Sequence, residues 1–305
     1  MLLEQFMYFK KIAILLLFVF FANNVLAKSS VFLVSKGKNK VILAGTIHLL
    51  RPTDFPLPKE FNHAFQRSEV VFFETDIAMA ASQEFSQRLA DEMRLQPGIS
   101  LDQLIKPELW SVLETYAQNS GFPLENMKIY NPAFVSMMMT VYESQRLGIS
   151  GGVEAHFHKK LGKKLVGELE DQDEAIAAMK KLSLVNGNAI ISYTLRDIKN
   201  FDGLMDTTVK FWRKGKTEKL YKSLALEMRK YTPEVYDSLL VERNQLWLPK
   251  IEALFNTSET ELVLVGAMHL SGPDSLLKML KDRGYKVRSY RAYTPRLRKR
   301  RSTRN

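Results

Sequence analysis

Apolar and polar positions along the chain alternate between two periods, and the changes between them outline the fold. In "VFLVSKGKNKVILAGT", residues 31–46, two β-branched runs flank a Gly-Lys-Asn centre, the pattern of a hairpin. "LPKEFNHAFQRS" then carries apolar residues at helical spacing, and "EVVFFETD" is a short apolar strand that ends in acids. Strand, helix and strand in that order form the unit of a parallel sheet. From Ala80 to about Ser150 the spacing is helical, interrupted at Pro97-Gly98, Gly121 and Pro132. "AFVSMMMTVYESQRLG" closes on Gly148, as a helix end should, and its Met137, Met138 and Met139 read as core filler. "VEAHFHKKLGKK" predicts another helix and "KLVGELE" another strand with acids at its end. Residues 171 to 256 are helical throughout. "TELVLVGAMHL" is a strand, "GPDSLLKMLKDRG" a helix with Leu276, Leu277 and Leu280 on one face, and "YKVRSY" a last short strand. The expected fold is α/β: a central mixed sheet flanked by helices, with a large helical insertion.

Composition changes this picture only at the ends. Lys10 and Lys11 precede the apolar run "IAILLLFVFFA", and Val25 and Ala27 stand where signal cleavage needs small residues. Residues 1–27 therefore read as a signal peptide, with Met7 an alternative start. The run is too short to span a bilayer comfortably, so an uncleaved anchor is the weaker reading. The mature chain is expected to leave the cytoplasm and to be periplasmic or secreted. Residues 28–287 read as one domain, and the composition of the full chain, 46% hydrophobic and 25% charged, is ordinary for a globular protein. The formal charge is +11, but residues 288–305 hold eight Arg and Lys and no acid, which leaves the body close to neutral. That tail reads as a basic, disordered end that could touch anionic lipid; no specific nucleic-acid partner is expected. The chain has no cysteine, so thiol nucleophiles, zinc–thiolate sites and a lipoprotein anchor are excluded. Any metal must be held by nitrogen and oxygen.

The candidate chemistry lies at strand ends. "VILAGTIHLL" (41–50) and "LVLVGAMHLS" (262–271) align Gly45 with Gly266 and His48 with His269. A Gly allows a sharp exit from a strand, and a His three residues later can project from the carboxyl edge of the sheet, where open α/β sheets collect ligands. If the two strands are neighbours, both imidazoles face one crevice. Carboxylates end other strands: Glu74 and Asp76 in "FFETD", Glu168, Glu170 and Asp171 in "GELED". "GGVEAHF" adds Glu154 and His156. Two His and one or more carboxylates suit a divalent cation. Ordinary readings stand beside these. His63 and His158 fall in helical stretches and read as surface residues. His156, beside Phe157, reads as a packed or hydrogen-bonded ring. Glu154, and Glu170 with Asp171, could cap the helices that follow them.

The motifs "GTIH" (45–48), "ETD" (74–76), "GGVEAHF" (151–157), "LVGELE" (165–170), "ERNQLW" (242–247) and "VGAMHLSGPDSLLKMLKDRGYKV" (265–287) resemble, in order, the TraB/PrgY/GumN family, whose animal relatives are the Tiki proteases. That resemblance implies a divalent cation such as manganese or cobalt on His48, Glu74 and His269. It places the family's Arg-Asn pair on Arg243 and Asn244, although Arg243 could equally be a structural ion-pair partner. It puts the family's Gly-x-Asp acid on Glu154, one methylene longer. The implied function is divalent-metal-dependent hydrolysis of peptide bonds. In it Glu154 or Glu170 would take a proton from water, Arg243 would steady an oxyanion and Asn244 would orient a neighbouring group. The alternative is a non-catalytic peptide-, haem- or metal-binding protein that sequesters its ligand. In either case a peptide or small molecule would lie in the crevice at the sheet edge.

Overall fold

The hairpin forms where the pattern places it. In a computed structural model, which describes residues 29–292, β1 (Val31–Lys36) and β2 (Asn39–Thr46) pair antiparallel from Val31–Ala44 to Lys36–Asn39. Gly37 makes the turn at φ 62°, a left-handed conformation that a side chain would disfavour. The expected signal peptide and the tail beyond residue 292 lie outside the described residues.

β4 (Val70–Phe73), β6 (Leu165–Glu168), β7 (Glu261–Gly266) and β8 (Lys286–Ser289) join the hairpin in one six-stranded sheet of order β6-β4-β7-β2-β1-β8. β6, β4, β7 and β2 are mutually parallel, and β1 is antiparallel to both of its neighbours. The sheet is thus mixed, as expected, and the two Gly-x-x-His strands are adjacent. Their register is offset from the sequence alignment by one position: Gly45 faces Val265, and Thr46 faces Gly266. Two further strands, β3 (Leu49–Leu50) and β5 (Ser150–Gly151), form a separate two-stranded ladder that no periodicity announced.

Central strands bury both faces, which is why they read as continuous apolar runs. Ile42, Ala44, Leu262 and Leu264 point to one side, against Phe61 and Phe65 of α1 (Lys59–Arg67), Phe157 and Trp212. Leu43, Val263 and Val265 point to the other, against Trp247, Leu248 and Ile251 of one helix and Leu276, Leu277 and Leu280 of another. Trp212 and Trp247 are fully buried, each worth roughly 2–3 kcal/mol of transfer free energy. Trp212 also donates its indole N–H to the carbonyl of Gly45 at 2.6 Å, fixing the exit of β2.

The helical insertion is built from two excursions that share one core. Leu113, Val135 and Met139, from between β4 and β5, pack on Ile191 and Leu195, from between β6 and β7. Met139 is completely buried there, the filler role expected of it. At the other end, β8 runs to Ser289, two residues into the stretch read as tail. Tyr290 continues it, donating its amide to Val31 O at 2.9 Å and meeting His63 Nδ1 through its hydroxyl at 2.8 Å. His63 is therefore half-buried and partnered, not free on the surface as the helical spacing suggested. Among the described residues no helix is long and apolar enough to cross a membrane.

Candidate functional site

Four parallel strands end at one edge of the sheet, and each carries a polar group there. β2 leads to Thr46 and His48, β4 to Glu74, β6 to Glu170, and β7 to Gly266 and His269. Gly266 shows how closely they approach. A Cβ at that position would lie 3.1 Å from His48 Nε2, 3.3 Å from Glu74 Oε1 and 3.5 Å from His269 Cδ2.

Glu74 is the hub. Its Oε1 accepts the Gly266 amide at 2.6 Å and lies 3.7 Å from His269 Nε2, while Oε2 accepts from Arg243 Nη2 at 2.8 Å. Burial pushes its pKa up, but Arg243, the two imidazoles and the Gly266 N–H together outweigh burial and hold it down to about 2. It is a carboxylate at any physiological pH.

His269 is buried and held from behind. Its Nδ1 lies 2.8 Å from Asn244 Oδ1, and Asn244 Nδ2 donates to Asp274 O at 2.9 Å. The amide is therefore oriented with its oxygen toward the ring, so Nδ1 carries the proton and Nε2 keeps its lone pair. Burial drives the pKa down to about 3, so the ring is neutral. Trp247 packs against it with ring centroids 4.4 Å apart.

His48 is held in the same way from the opposite side. Its Nδ1 lies 2.8 Å from Glu154 Oε1, which also accepts the Thr46 hydroxyl. The charge of Glu154 raises the His48 pKa to about 9 against the pull of desolvation, although the side chain is 61% exposed and solvent damps the interaction. Glu154 Oε2 is buried without a partner. The loop geometry that joins the two residues depends on Gly152. A Cβ there would lie 1.8 Å from Ile47 O, the carbonyl that accepts the Val153 amide at 3.1 Å. The β3–β5 ladder clasps the same segments, Leu49 opposite Gly151. Glu154 consequently turns back toward the sheet instead of capping the helix Val153–His158.

Residues 30–289 match the TraB/PrgY/gumN family. The chain belongs to that family. No curated protein and no solved structure gives a significant match.

Around this hub the TraB/PrgY/gumN chain places a second layer. Arg243 binds Glu170 in bidentate fashion, Nε to Oε2 at 3.0 Å and Nη2 to Oε1 at 2.6 Å, and lies over the Trp247 ring at 4.4 Å. Trp247 Nε1 donates to the same carboxylate at 3.1 Å. Burial pushes the Glu170 pKa up while Arg243 and Trp247 pull it down. Asp171, not Glu170, caps the next helix, in a capping box with Glu174. Arg243 Nη1 is the one guanidinium nitrogen without a carboxylate partner, and it lies 3.5 Å from His269 Nε2. Arg243 and Asn244 start a helix (Glu242–Ala253) that follows a π-helical turn over Asp237–Val241, an irregularity often found beside functional groups.

The structure thus gathers His48, Glu74, Glu154, Glu170, Arg243, Asn244 and His269. It leaves His156 outside, stacked on Phe55 at 5.2 Å and bonded to Lys160 at 2.9 Å. His158 packs edge-on to Phe73, and Asp76 caps the helix Ile77–Ala80. Thr46, Gly152, Gly266, Trp247 and Asp274 were not expected among these partners. Two of them had a usable signal: Gly266 as the glycine of the second Gly-x-x-His motif, and Trp247 as a residue one helical turn beyond Arg243 and hence on the same face.

Whether this donor set suits a divalent cation is decided by its chemistry. Among the described residues no group of three or more His, Asp or Glu side chains stands in ligating arrangement. Yet each imidazole has its Nδ1 occupied by an outer acceptor; His269 Nε2 lies 3.7 Å from Glu74 Oε1, and His48 Nε2 and that oxygen both approach Gly266. That outer-acceptor pattern is how proteins orient histidine ligands. The residues fit the group; His48 would have to give up its proton to use Nε2.

Proposed function

We propose that this TraB/PrgY/gumN protein is an exported hydrolase that uses a divalent cation to cleave peptide bonds. The observation that carries this reading is the pair of imidazoles facing one carboxylate across adjacent strands, each ring oriented through its Nδ1. His48, Glu74 and His269 would hold the cation, and manganese or cobalt suits a site of nitrogen and oxygen donors. When bound, the cation supplies Lewis-acid polarisation of a substrate carbonyl and a more acidic water.

The chain's own groups do the rest. Asn244 keeps His269 in the tautomer that leaves Nε2 free. Glu154 orients His48 and, through its unpartnered Oε2, accepts the proton released at the site. Arg243 Nη1 is the donor available to negative charge that develops on the substrate. Glu170, whose oxygens are engaged by Arg243 and Trp247, positions that guanidinium and leaves proton transfer to Glu154.

A second reading, a protein that sequesters a peptide without turnover, is favoured by one observation. Arg243 already neutralises Glu74 and Glu170, so the site balances much of its charge without a cation. Calorimetry with Mn²⁺ and digestion of a peptide library with added Mn²⁺ separate the two. Cleavage that requires Mn²⁺ and vanishes in His48→Ala at unchanged melting temperature supports the hydrolase. Peptides retained uncut support the binder. Cleavage that persists in His48→Ala overturns the assignment. The export reading is tested by mass spectrometry of the protein recovered outside the cytoplasm, which should begin near Lys28.

A further inference from the structure

β6 is an edge of the sheet, short and flanked by charge, but its first two residues are apolar and open to solvent. Edge strands are usually blunted by charge, proline or a covering segment. Here Leu165 is 64% exposed and Val166 54% exposed, on opposite faces of the strand. Among the described residues β6 pairs only with β4. Leu165 and Leu169 donate their amides inward, to Glu69 O at 3.1 Å and Phe73 O at 3.0 Å. The alternation along a strand therefore turns the main-chain groups of Val166 and Glu168 to the open side.

The charges beside this edge are self-complementary. Lys163 and Lys164 precede the strand, and Glu168 ends it. Among the described residues neither Lys163 nor Glu168 has an ion-pair partner. Lys164 donates to Ser68 O and has further protons to give.

We propose that the open edge of β6 is the seam of a symmetric homodimer, in which two copies of β6 pair antiparallel about Val166. The register follows from which groups face outward. Val166 exchanges both of its main-chain hydrogen bonds with Val166 of the second copy, a hydrogen-bonded antiparallel pair. Glu168 then falls opposite Lys164 on the same face as the paired valines, and the two-fold axis makes that charged contact twice. On the other face Leu165 falls opposite Gly167. The Phe72 ring covers that glycine, since a Cβ there would meet Phe72 Cε1 at 2.3 Å, so the leucine of each copy packs against an aromatic ring. The product is a continuous sheet of twelve strands with the two candidate sites at opposite ends, because the axis reverses the strand direction. A seam of one short strand from each copy is smaller than a standard interface, so association is expected to depend on concentration across the micromolar range.

The test is sedimentation velocity on the purified full chain over that range, with three variants. Val166→Pro removes an outward amide and no ladder bond, so it should melt like the parent and remain monomeric. Glu168→Lys and Lys164→Glu each place like charges across the seam and should weaken the dimer roughly tenfold, whereas the double reversal should restore it. A parent chain that stays monomeric at every concentration overturns the proposal and leaves the edge to another chain. So does a dimer indifferent to Val166→Pro. If Val166→Pro does not fold, the charge reversals decide: failure of the double variant to recover what the single ones lose overturns the seam.

Discussion

Replacing Arg243 by Met is the perturbation that the site geometry constrains most tightly. The side chain is 11% exposed, and its guanidinium bonds two buried carboxylates, Glu74 at 2.8 Å and Glu170 at 2.6 Å. Met fills much of the volume over Trp247 but leaves both acids with no cation. Removing one partner of a buried ion pair costs about 3–5 kcal/mol, because the remaining charge stays buried. For a domain of this size that lowers the melting temperature by about 6–20 °C. The sign with pH follows from Glu74. Its folded pKa, about 2, lies below the ordinary 4.5, so in the parent it contributes stability above 4.5 that is lost as pH falls toward 2. Without Arg243, burial dominates and the folded pKa values of both acids rise. The deficit of the variant is then largest at neutral pH and shrinks as acid protonates the two groups. Thermal melts followed by circular dichroism from pH 7 to pH 3, with chelator present so that no cation replaces the guanidinium, measure this directly. A further change of Glu170 to Gln should recover part of the loss. Stability within about 1 kcal/mol of the parent at pH 7, or a deficit that does not change with pH, would refute the reasoning.

Three other perturbations probe separate parts of the site. Asn244→Ala frees His269 Nδ1 and should lower Mn²⁺ affinity by about 10–100-fold in calorimetry; unchanged affinity removes Asn244 from its orienting role. Gly152→Ala forces a methyl into Ile47 O and should destabilise the fold by about 3 kcal/mol or more in urea titrations, where a neutral result would show that the β3–β5 clasp can relax. Gly266→Ala adds a methyl 3.1 Å from His48 Nε2 and should lower peptide turnover roughly a hundredfold with little change in melting temperature, so full activity would place the chemistry elsewhere.

Much of this arrangement was legible because strand ends are written locally. The repeated Gly-x-x-His after an apolar run marked two strand ends that would share an edge if the strands were neighbours, and β2 and β7 do pair. Glu74 and Glu170 read as strand-end acids for the same reason. What stayed hidden depends on contacts between distant segments. Nothing near Glu170 shows that Arg243 and Trp247 occupy its oxygens, so it read as a free proton acceptor equivalent to Glu154. Nothing near Glu154 shows that Gly152 folds it back on His48, so helix capping looked equally reasonable. The one-position offset between β2 and β7 is set by the ladder, which a comparison of two motifs cannot see. His63 was read as a surface residue because its partner Tyr290 lies in a strand extension beyond the expected end of the domain.

The sheet order also dictates when the site can exist. β7 lies between β4 and β2, yet it is made long after both, behind the whole of the two helical excursions. A chain emerging from a ribosome carries His48, Glu74, Glu154, Glu170 and Arg243 out first, with the slot between β4 and β2 still empty. Only when Glu261–Gly266 fills that slot does Gly266 meet Glu74 and His269 face His48. Every shorter nascent chain therefore lacks the assembled cluster, and the order of synthesis makes its closure a late event of folding.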